Sequence, residues 1–437
     1  MLKSPRVAFH TLGCKLNQAE STALAGEFYS KGYRIVPFGD EADICIINSC
    51  TVTERADAKC RQAIRKAHKL SPNAVIAVVG CYAQMQPDEL LSFPGVRVIL
   101  GSDRKYEILD RIEDYFKTGR TQVGTGTNRE FVRAHPGAYH DLTRAFLKIQ
   151  DGCNNFCSYC IVPYARGRSR SEPLSSVITD VHKLIEAGYR EIVLTGVHIG
   201  RYGHDLPSST TLIELLKLLS AEFTTIRIRL SSLEPMEIDD VLIDLIADSN
   251  KICPHFHVPL QSGDNSILRS MNRIYTSEHF FGIVDMIKRK IPHAAIGTDV
   301  IAGFPGETEE AFRNTYDLIR DLPLSYLHVF VYSKRTGTRA AEFKQQVSRL
   351  TKKQRSDSLI ELGKEKKREF YRQSLGTVLN VLFESRSYGD TMSGFSENYI
   401  KVGARKDVRY FNQITPVKII AADAQAVKGT ILSLSNC

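Results

Sequence analysis

Short apolar runs rich in Val, Ile and Ala alternate with longer stretches of helical period along most of the chain. A run at residues 7–10 precedes helical spacing over 19–29, and a run at 43–48 precedes a helix over 53–70. Runs at 74–79 and 96–100 follow, and a helix over 108–116 closes the unit. Strands separated by helices predict a parallel sheet with right-handed crossovers. Residues 117–140 are polar and rich in Gly and Thr, with Pro136-Gly137, and read as a linker. A second series then predicts strands at 145–149, 191–194, 226–230, 255–259, 295–300 and 327–331. Its helices include 176–187, 212–221, 239–249, 277–288 and 308–321. Six such strands suggest an open or partial (β/α) barrel, whose chemistry belongs at the carboxyl ends of the strands. From residue 376 the pattern changes, with strands at 377–383, 397–402, 413–420 and 429–434 separated by Gly or Asp turns. These predict a small antiparallel β-barrel. The expected fold class is α/β. An open parallel α/β domain occupies 1–120, a partial (β/α) barrel 139–370, and the small barrel 371–437.

The 437 residues include no apolar run long enough to cross a bilayer, and Met1-Leu-Lys-Ser-Pro-Arg6 lacks the plan of a signal peptide. A cytoplasmic protein is expected. Its ten cysteines are spread widely, which argues for metal or redox chemistry over a disulfide scaffold. The net charge of +9 is unevenly placed: residues 344–372 hold ten Lys or Arg against four acids. Such a segment is a footprint for a polyanion such as RNA, or else a solvated helix face laced with salt bridges.

Cys153-Asn-Asn-Phe-Cys157-Ser-Tyr-Cys160 places three thiols at C-x3-C-x2-C spacing just past the first strand of the second series. Thiolate sets of this kind suit iron–sulfur clusters or zinc. Structural zinc sites are usually closed by a fourth ligand, whereas three cysteines leave one iron of a four-iron cluster open to a substrate atom. Tyr159, before the last cysteine, is an aromatic ring able to stack on a flat ligand. Three more cysteines follow successive strands of the first series: Cys14, Cys50 and Cys81, separated by 36 and 31 residues. Each interval is about one βα repeat. The carboxyl ends of parallel strands share one crevice, so these three thiols are expected to converge on a second cluster. The alternative for each is a small buried hydrophobe, and that is the reading for Cys45, Cys60, Cys253 and Cys437.

Other strand ends of the second series carry candidate cofactor contacts: Gly196 in Thr195-Gly-Val-His198, Ser232 and Glu234, Gln261, and Asp299. Small residues let backbone amides approach a cofactor, and Ser, Gln and Asp bond amino, carboxylate and ribose groups. Turns and helix caps are the competing reading for each.

The stretch Cys157-Ser-Tyr-Cys160-Ile-Val-Pro163-Tyr-Ala-Arg166-Gly167-Arg-Ser-Arg170, with the separated trio Cys14, Cys50 and Cys81, resembles the radical S-adenosylmethionine (SAM) methylthiotransferase family over the whole chain. The resemblance implies an N-terminal domain with an auxiliary [4Fe-4S] cluster, a radical SAM barrel, and a C-terminal TRAM domain that binds RNA. Thr11-Leu-Gly-Cys14-Lys-Leu-Asn17-Gln18 resembles the MtaB-type branch in particular. That branch acts on N(6)-threonylcarbamoyladenosine at position 37 of tRNA. Phe-Gly-Cys-Gln-Met-Asn is usual for the branch acting on isopentenyladenosine, and Leu-Gly-Cys-Pro-Lys-Asn for the branch acting on a ribosomal protein.

Several expectations follow from the resemblance. Cys153, Cys157 and Cys160 would hold the cluster that cleaves SAM; Cys14, Cys50 and Cys81 would hold the cluster carrying the sulfur to be methylated. Tyr159, Gly196, Ser232, Glu234, Gln261 and Asp299 would contact SAM. Arg166, Arg168 and Arg170 would bind SAM carboxylate or RNA phosphate, or else only solubilise a sheet edge. Two molecules of SAM, the tRNA anticodon loop and an electron donor such as flavodoxin or ferredoxin would be partners of a monomeric enzyme. The competing readings are the two other branches, a radical enzyme of another reaction type, and a non-catalytic iron–sulfur RNA-binding protein.

Overall fold

The computed structural model describes residues 4–126, 130–134, 143–208, 210–423 and 426–432. Cys437 and much of the expected linker lie outside them. Six parallel strands form the first sheet. In chain order they are Arg6–Thr11, Arg34–Val36, Ile44–Ser49, Val75–Gly80, Val96–Leu100 and Gln122–Gly124. The strands Ile44–Ser49 and Val75–Gly80 are buried at every position, because helices cover both faces of the sheet. That double cover is why they read as unbroken apolar runs. The last strand corrects the linker reading: Gln122–Gly124 pairs with Val98, Ile99 and Leu100, although its composition is that of a turn. A three-residue edge strand can rest on backbone hydrogen bonds and carry little hydrophobic signal.

The second unit is a partial barrel. The strands Ala145–Lys148, Glu191–Thr195 and Arg227–Leu230 form one parallel sheet. His255–His257, Ala295–Ala302 and Tyr326–Val331 form another. Parallel bridges Ile228–Ile252 and Ser232–His257 join the two into one curved wall. The crossover helices cap themselves as their sequences demand. Thr211 and Glu214 make a reciprocal capping box, and Thr276 and Thr308 each accept a first-turn amide.

The C-terminal unit closes into a five-stranded barrel. Its strands are Val378–Tyr388, Thr391–Ser396, Lys401–Arg405, Ile414–Ala422 and Val427–Ile431. Four pairs are antiparallel as expected, and Lys401–Arg405 with Val427–Ile431 is parallel. The last strand inserts between two earlier ones to remove the free edge, and its direction follows from its antiparallel neighbour Ile414–Ala422. Arg227 and Arg229 bind this unit to the partial barrel by donating to the carbonyls of Asn380, Phe395, Ser396 and Glu397. No helix among the described residues is long and apolar enough to cross a membrane.

Candidate active site

The strands ending before Cys14, Cys50 and Cys81 are adjacent in the first sheet, so the three loops meet at one edge. Gly13 adopts φ +103°, and a Cβ there would fall 2.8 Å from the Cys50 Cβ. Gly80, at φ +96°, would meet the Asn48 carboxamide oxygen at 2.7 Å. Only glycine allows these loops to approach so closely. Cys14 is the N-cap of the helix Lys15–Ser30, whose first residue comes four before the expected start at residue 19, and Cys81 opens the short helix Cys81–Met85.

Two polar side chains stitch the trio together. Asn17 donates to the Leu12 carbonyl at 2.7 Å and to the Ser49 carbonyl at 3.1 Å. Ser49 donates to the Val79 carbonyl at 2.6 Å and accepts the amides of Tyr82 and Ala83. Each cysteine is thereby braced through its sequence neighbours. Ser102 Oγ lies 3.7 Å from the Cys81 sulfur.

In the second trio, the loop turns at Phe156, which takes φ +45°. Asn272 braces it by donating to the carbonyls of Asn155 and Phe156. Two cations address its sulfurs. His198 Nδ1 is 3.7 Å from Cys153, and an Arg273 guanidinium nitrogen is 3.2 Å from Cys157. Arg273 is also bonded to Glu234, and His198 Nε2 lies 2.5 Å from Glu237. Burial works against a charged His198, but the bonds to Cys153 and Glu237 push it up to about 10. Arg273 and Glu237 carry no sequence signal of their own; only the fold brings them to the cysteine loop.

The donor sets can be tested against candidate metals. Tetrahedral zinc with sulfur at about 2.3 Å needs its thiolates roughly 3.8 Å apart. Among the described residues only His257, Asp299 and His328 bring three ligand atoms within 4.8 Å of one another; neither cysteine trio is so tight. The wider spacing fits a multi-iron cluster better than one zinc ion. Burial pushes the Cys50 thiol up to about 12, so a metal-free protein holds it protonated and cluster assembly must displace that proton.

Gly196, Ser232 and Gln261 follow barrel strands, whereas Asp299, expected past a strand, lies inside Ala295–Ala302. A Cβ on Gly196 would lie 2.8 Å from Gln150 backbone and side-chain oxygens, and Gln150 accepts the His198 amide at 2.7 Å. Ser232 Oγ is 2.6 Å from His257 Nδ1. Asp299 Oδ1 is 3.0 Å from His257 Nε2 and 3.1 Å from His328 Nδ1, a cluster that periodicity did not reveal. Gln261 takes φ +63° and pairs with the strand at Val300. Tyr159 packs edge-on to Phe304 with centroids 6.4 Å apart.

Two expectations for the arginines are corrected. Arg166 and Arg170 are buried, at 2% and 4% exposure, and are held by protein carboxylates rather than presented to a ligand. Arg166 donates to Glu20, Asp151 and Asn17, and Arg170 to Asp103. Arg168 alone is exposed, over the Phe156 ring. The buried pair joins the N-terminal unit to the partial barrel through the helix Lys15–Ser30 and Asp103.

Comparison with known proteins accords with this arrangement. Residues 6–101 match the uncharacterized protein family UPF0004, and residues 147–319 match the radical SAM superfamily. The threonylcarbamoyladenosine tRNA methylthiotransferase MtaB of Bacillus subtilis is 41% identical over 95% of this chain and 94% of its own. The tRNA-2-methylthio-N(6)-dimethylallyladenosine synthase of Carboxydothermus hydrogenoformans is 38% identical over 87% of this chain and 88% of its own. The radical SAM methyltransferase TsrM of Kitasatospora setae, solved with cobalamin and a [4Fe-4S] cluster, superposes with a TM-score of 0.54 at 15% identity. It covers 89% of this chain and 77% of its own, a likeness of fold. The chain belongs to the radical SAM tRNA methylthiotransferase family, whose enzymes use SAM and [4Fe-4S] chemistry.

Proposed function

We propose that this enzyme places a methylthio group on carbon 2 of N(6)-threonylcarbamoyladenosine at position 37 of tRNA. The reaction type is supported by two cysteine trios carried on units that the buried Arg166–Glu20 contact joins. The substrate reading is supported by the 41% identity to the threonylcarbamoyladenosine enzyme and by Cys14-Lys-Leu-Asn17. When bound, the clusters supply reductive cleavage of SAM and the sulfur to be transferred, chemistry that no acidic or basic side chain offers at an inert ring carbon–hydrogen bond.

The chain's own residues bind, orient and tune. Cys153, Cys157 and Cys160 hold the SAM-cleaving cluster, and Cys14, Cys50 and Cys81 the auxiliary one. His198 and Arg273 donate to cysteine sulfurs, and donors there withdraw charge and set cluster potential. Gly196, Ser232, Glu234, Gln261 and Asp299 would contact SAM, with Tyr159 at the cluster loop. The small barrel and the helix Arg349–Gln373 present the tRNA surface. The enzyme works in the cytoplasm as a monomer, with electrons from a donor such as flavodoxin or ferredoxin.

The test is mass spectrometry of tRNA nucleosides from cells lacking their own enzyme, with and without this gene. Methylthio on threonylcarbamoyladenosine is the expected result. Methylthio on isopentenyladenosine would overturn the substrate, and unchanged tRNA alongside SAM cleavage would move the target to protein.

A further inference from the structure

Lys15 directly follows Cys14 and opens the helix Lys15–Ser30. Its Nζ lies 5.6 Å over the ring of Tyr399, which the guanidinium groups of Arg229 and Arg144 face at 5.1 and 6.0 Å. All three structural units contribute to this spot: Lys15 from the first, Arg144 and Arg229 from the second, Tyr399 from the third.

The local charges do not balance. Glu191 is shared between Arg227 and Arg229. Asp299 is engaged by His257 and His328. Among the described residues Arg144 has one ion pair, a long one to Glu384 at 3.8 Å, and its guanidinium lies 4.4 Å over the Phe395 ring. Apart from the Tyr399 ring, Lys15 has no hydrogen-bond or ion-pair partner among the described residues. A partly desolvated cation without a counter-charge costs free energy until an anion arrives. The helix N-terminus that Lys15 occupies adds positive potential at the same place.

We propose that Lys15, assisted by Arg144, is the subsite for the carboxylate of the threonylcarbamoyl group. This rests on the threonylcarbamoyladenosine reading and names the residues that would recognise that group. The chemistry of the base supports the placement. Carbon 2 and carbon 6 of adenine are both bonded to N1, so a substituent on N6 stays within a few ångström of the reacting carbon. Lys15 directly follows Cys14, so this cation is carried on the same loop as the auxiliary trio that carbon 2 would face. A carboxylate here would complete a charge-assisted contact, whereas an isopentenyl group would leave the half-buried Lys15 without a counter-charge, a penalty that discriminates between the two bases.

The test uses reconstituted holoenzyme and two anticodon stem-loop RNAs. One carries threonylcarbamoyladenosine; the other carries the same base with the threonine carboxylate converted to its methylamide. Affinities are read by fluorescence anisotropy at fixed salt. Wild-type protein should prefer the carboxylate by about tenfold, the scale of one charge-assisted hydrogen bond. Lys15→Gln should bring the ratio close to one while the methylamide RNA binds as before, and Lys15→Arg should keep the preference. Lys15→Met, equally uncharged, must show the same loss, which guards against a folding defect in one variant. A preference that survives Lys15→Gln overturns the subsite alone. A wild-type protein that binds both RNAs equally also overturns it, and if the cellular product then sits on isopentenyladenosine the substrate reading fails as well.

Discussion

Arg166, six residues past Cys160, donates to Glu20, six residues past Cys14, at 2.9 Å, and both side chains are buried. Lys105 lies 2.5 Å from the same carboxylate and Lys148 3.5 Å from it, while Asp151 takes Arg166 from the barrel side. The two cysteine loops are thus held in register by a charge network rather than by an apolar seam. Breaking a buried network from one side leaves uncompensated charge, so Arg166→Leu should cost about 3–5 kcal/mol of stability. Urea unfolding of the metal-free protein measures it.

The same network sets an acid limit. Burial works to raise the Glu20 pKa, but Arg166, Lys105 and Lys148 outweigh it and hold the carboxyl at about 2, below its ordinary 4.5. The unfolded chain takes up this proton first as pH falls, so the contribution of Glu20 is whole above pH 4.5 and is lost between 4.5 and about 2. Glu20→Gln should flatten that part of the melting-temperature profile and lower stability near neutrality.

Replacing Cys14, Cys50 and Cys81 together should remove about half of the bound iron and abolish methylthio product while SAM cleavage survives. Replacing Cys153, Cys157 and Cys160 should remove the other half and abolish both. Iron analysis and chromatography of the nucleoside products separate the outcomes. Unchanged methylthio product after the first replacement would refute the auxiliary role.

Binding of tRNA should weaken steeply with salt. The helix Arg349–Gln373 uses part of its charge internally: Arg355 pairs with Glu307 and Glu309, and Lys366 donates to main-chain carbonyls. Lys353 and Lys364 pair with Asp357 and Glu361. Arg368 and Arg372 have no ion pair among the described residues, so they are the better candidates for phosphate contacts. Arg368→Gln and Arg372→Gln should each reduce the slope of log affinity against log salt by roughly one. A salt-independent affinity would remove the helix from the interface.

Lys15→Met should stabilise the ligand-free protein near pH 7 by on the order of 1–3 kcal/mol. The folded ammonium is held at about 8, chiefly by burial and then by Arg229 and Arg144, with Glu191 and Asp299 opposing. Between pH 8 and 10.5 the unfolded chain binds more protons at Lys15, so wild-type stability should rise with pH there. That rise should be missing in the variant, as chemical unfolding on either side of the window would show.

The sequence by itself determined the order of the three units, the six cysteines and the strand ends that carry them. Those features are local. Apolar runs such as Ile44–Ser49 name a strand whatever surrounds them, and one βα repeat between cysteines places each at the same end of a parallel sheet. The short strand Gln122–Gly124 escaped notice because its main evidence is a backbone pairing with Val98 to Leu100. Only the tertiary structure decided what the charged residues do. Arg166 and Arg170 sit in a motif that looks like a ligand-binding run, yet Glu20 and Asp103 occupy them from 146 and 67 residues away. Lys15 sits in an ordinary helix start, yet Tyr399 and Arg229 make its surroundings. A charge takes its role from its counter-charge and its solvent exposure, and both are contributed by residues far along the chain.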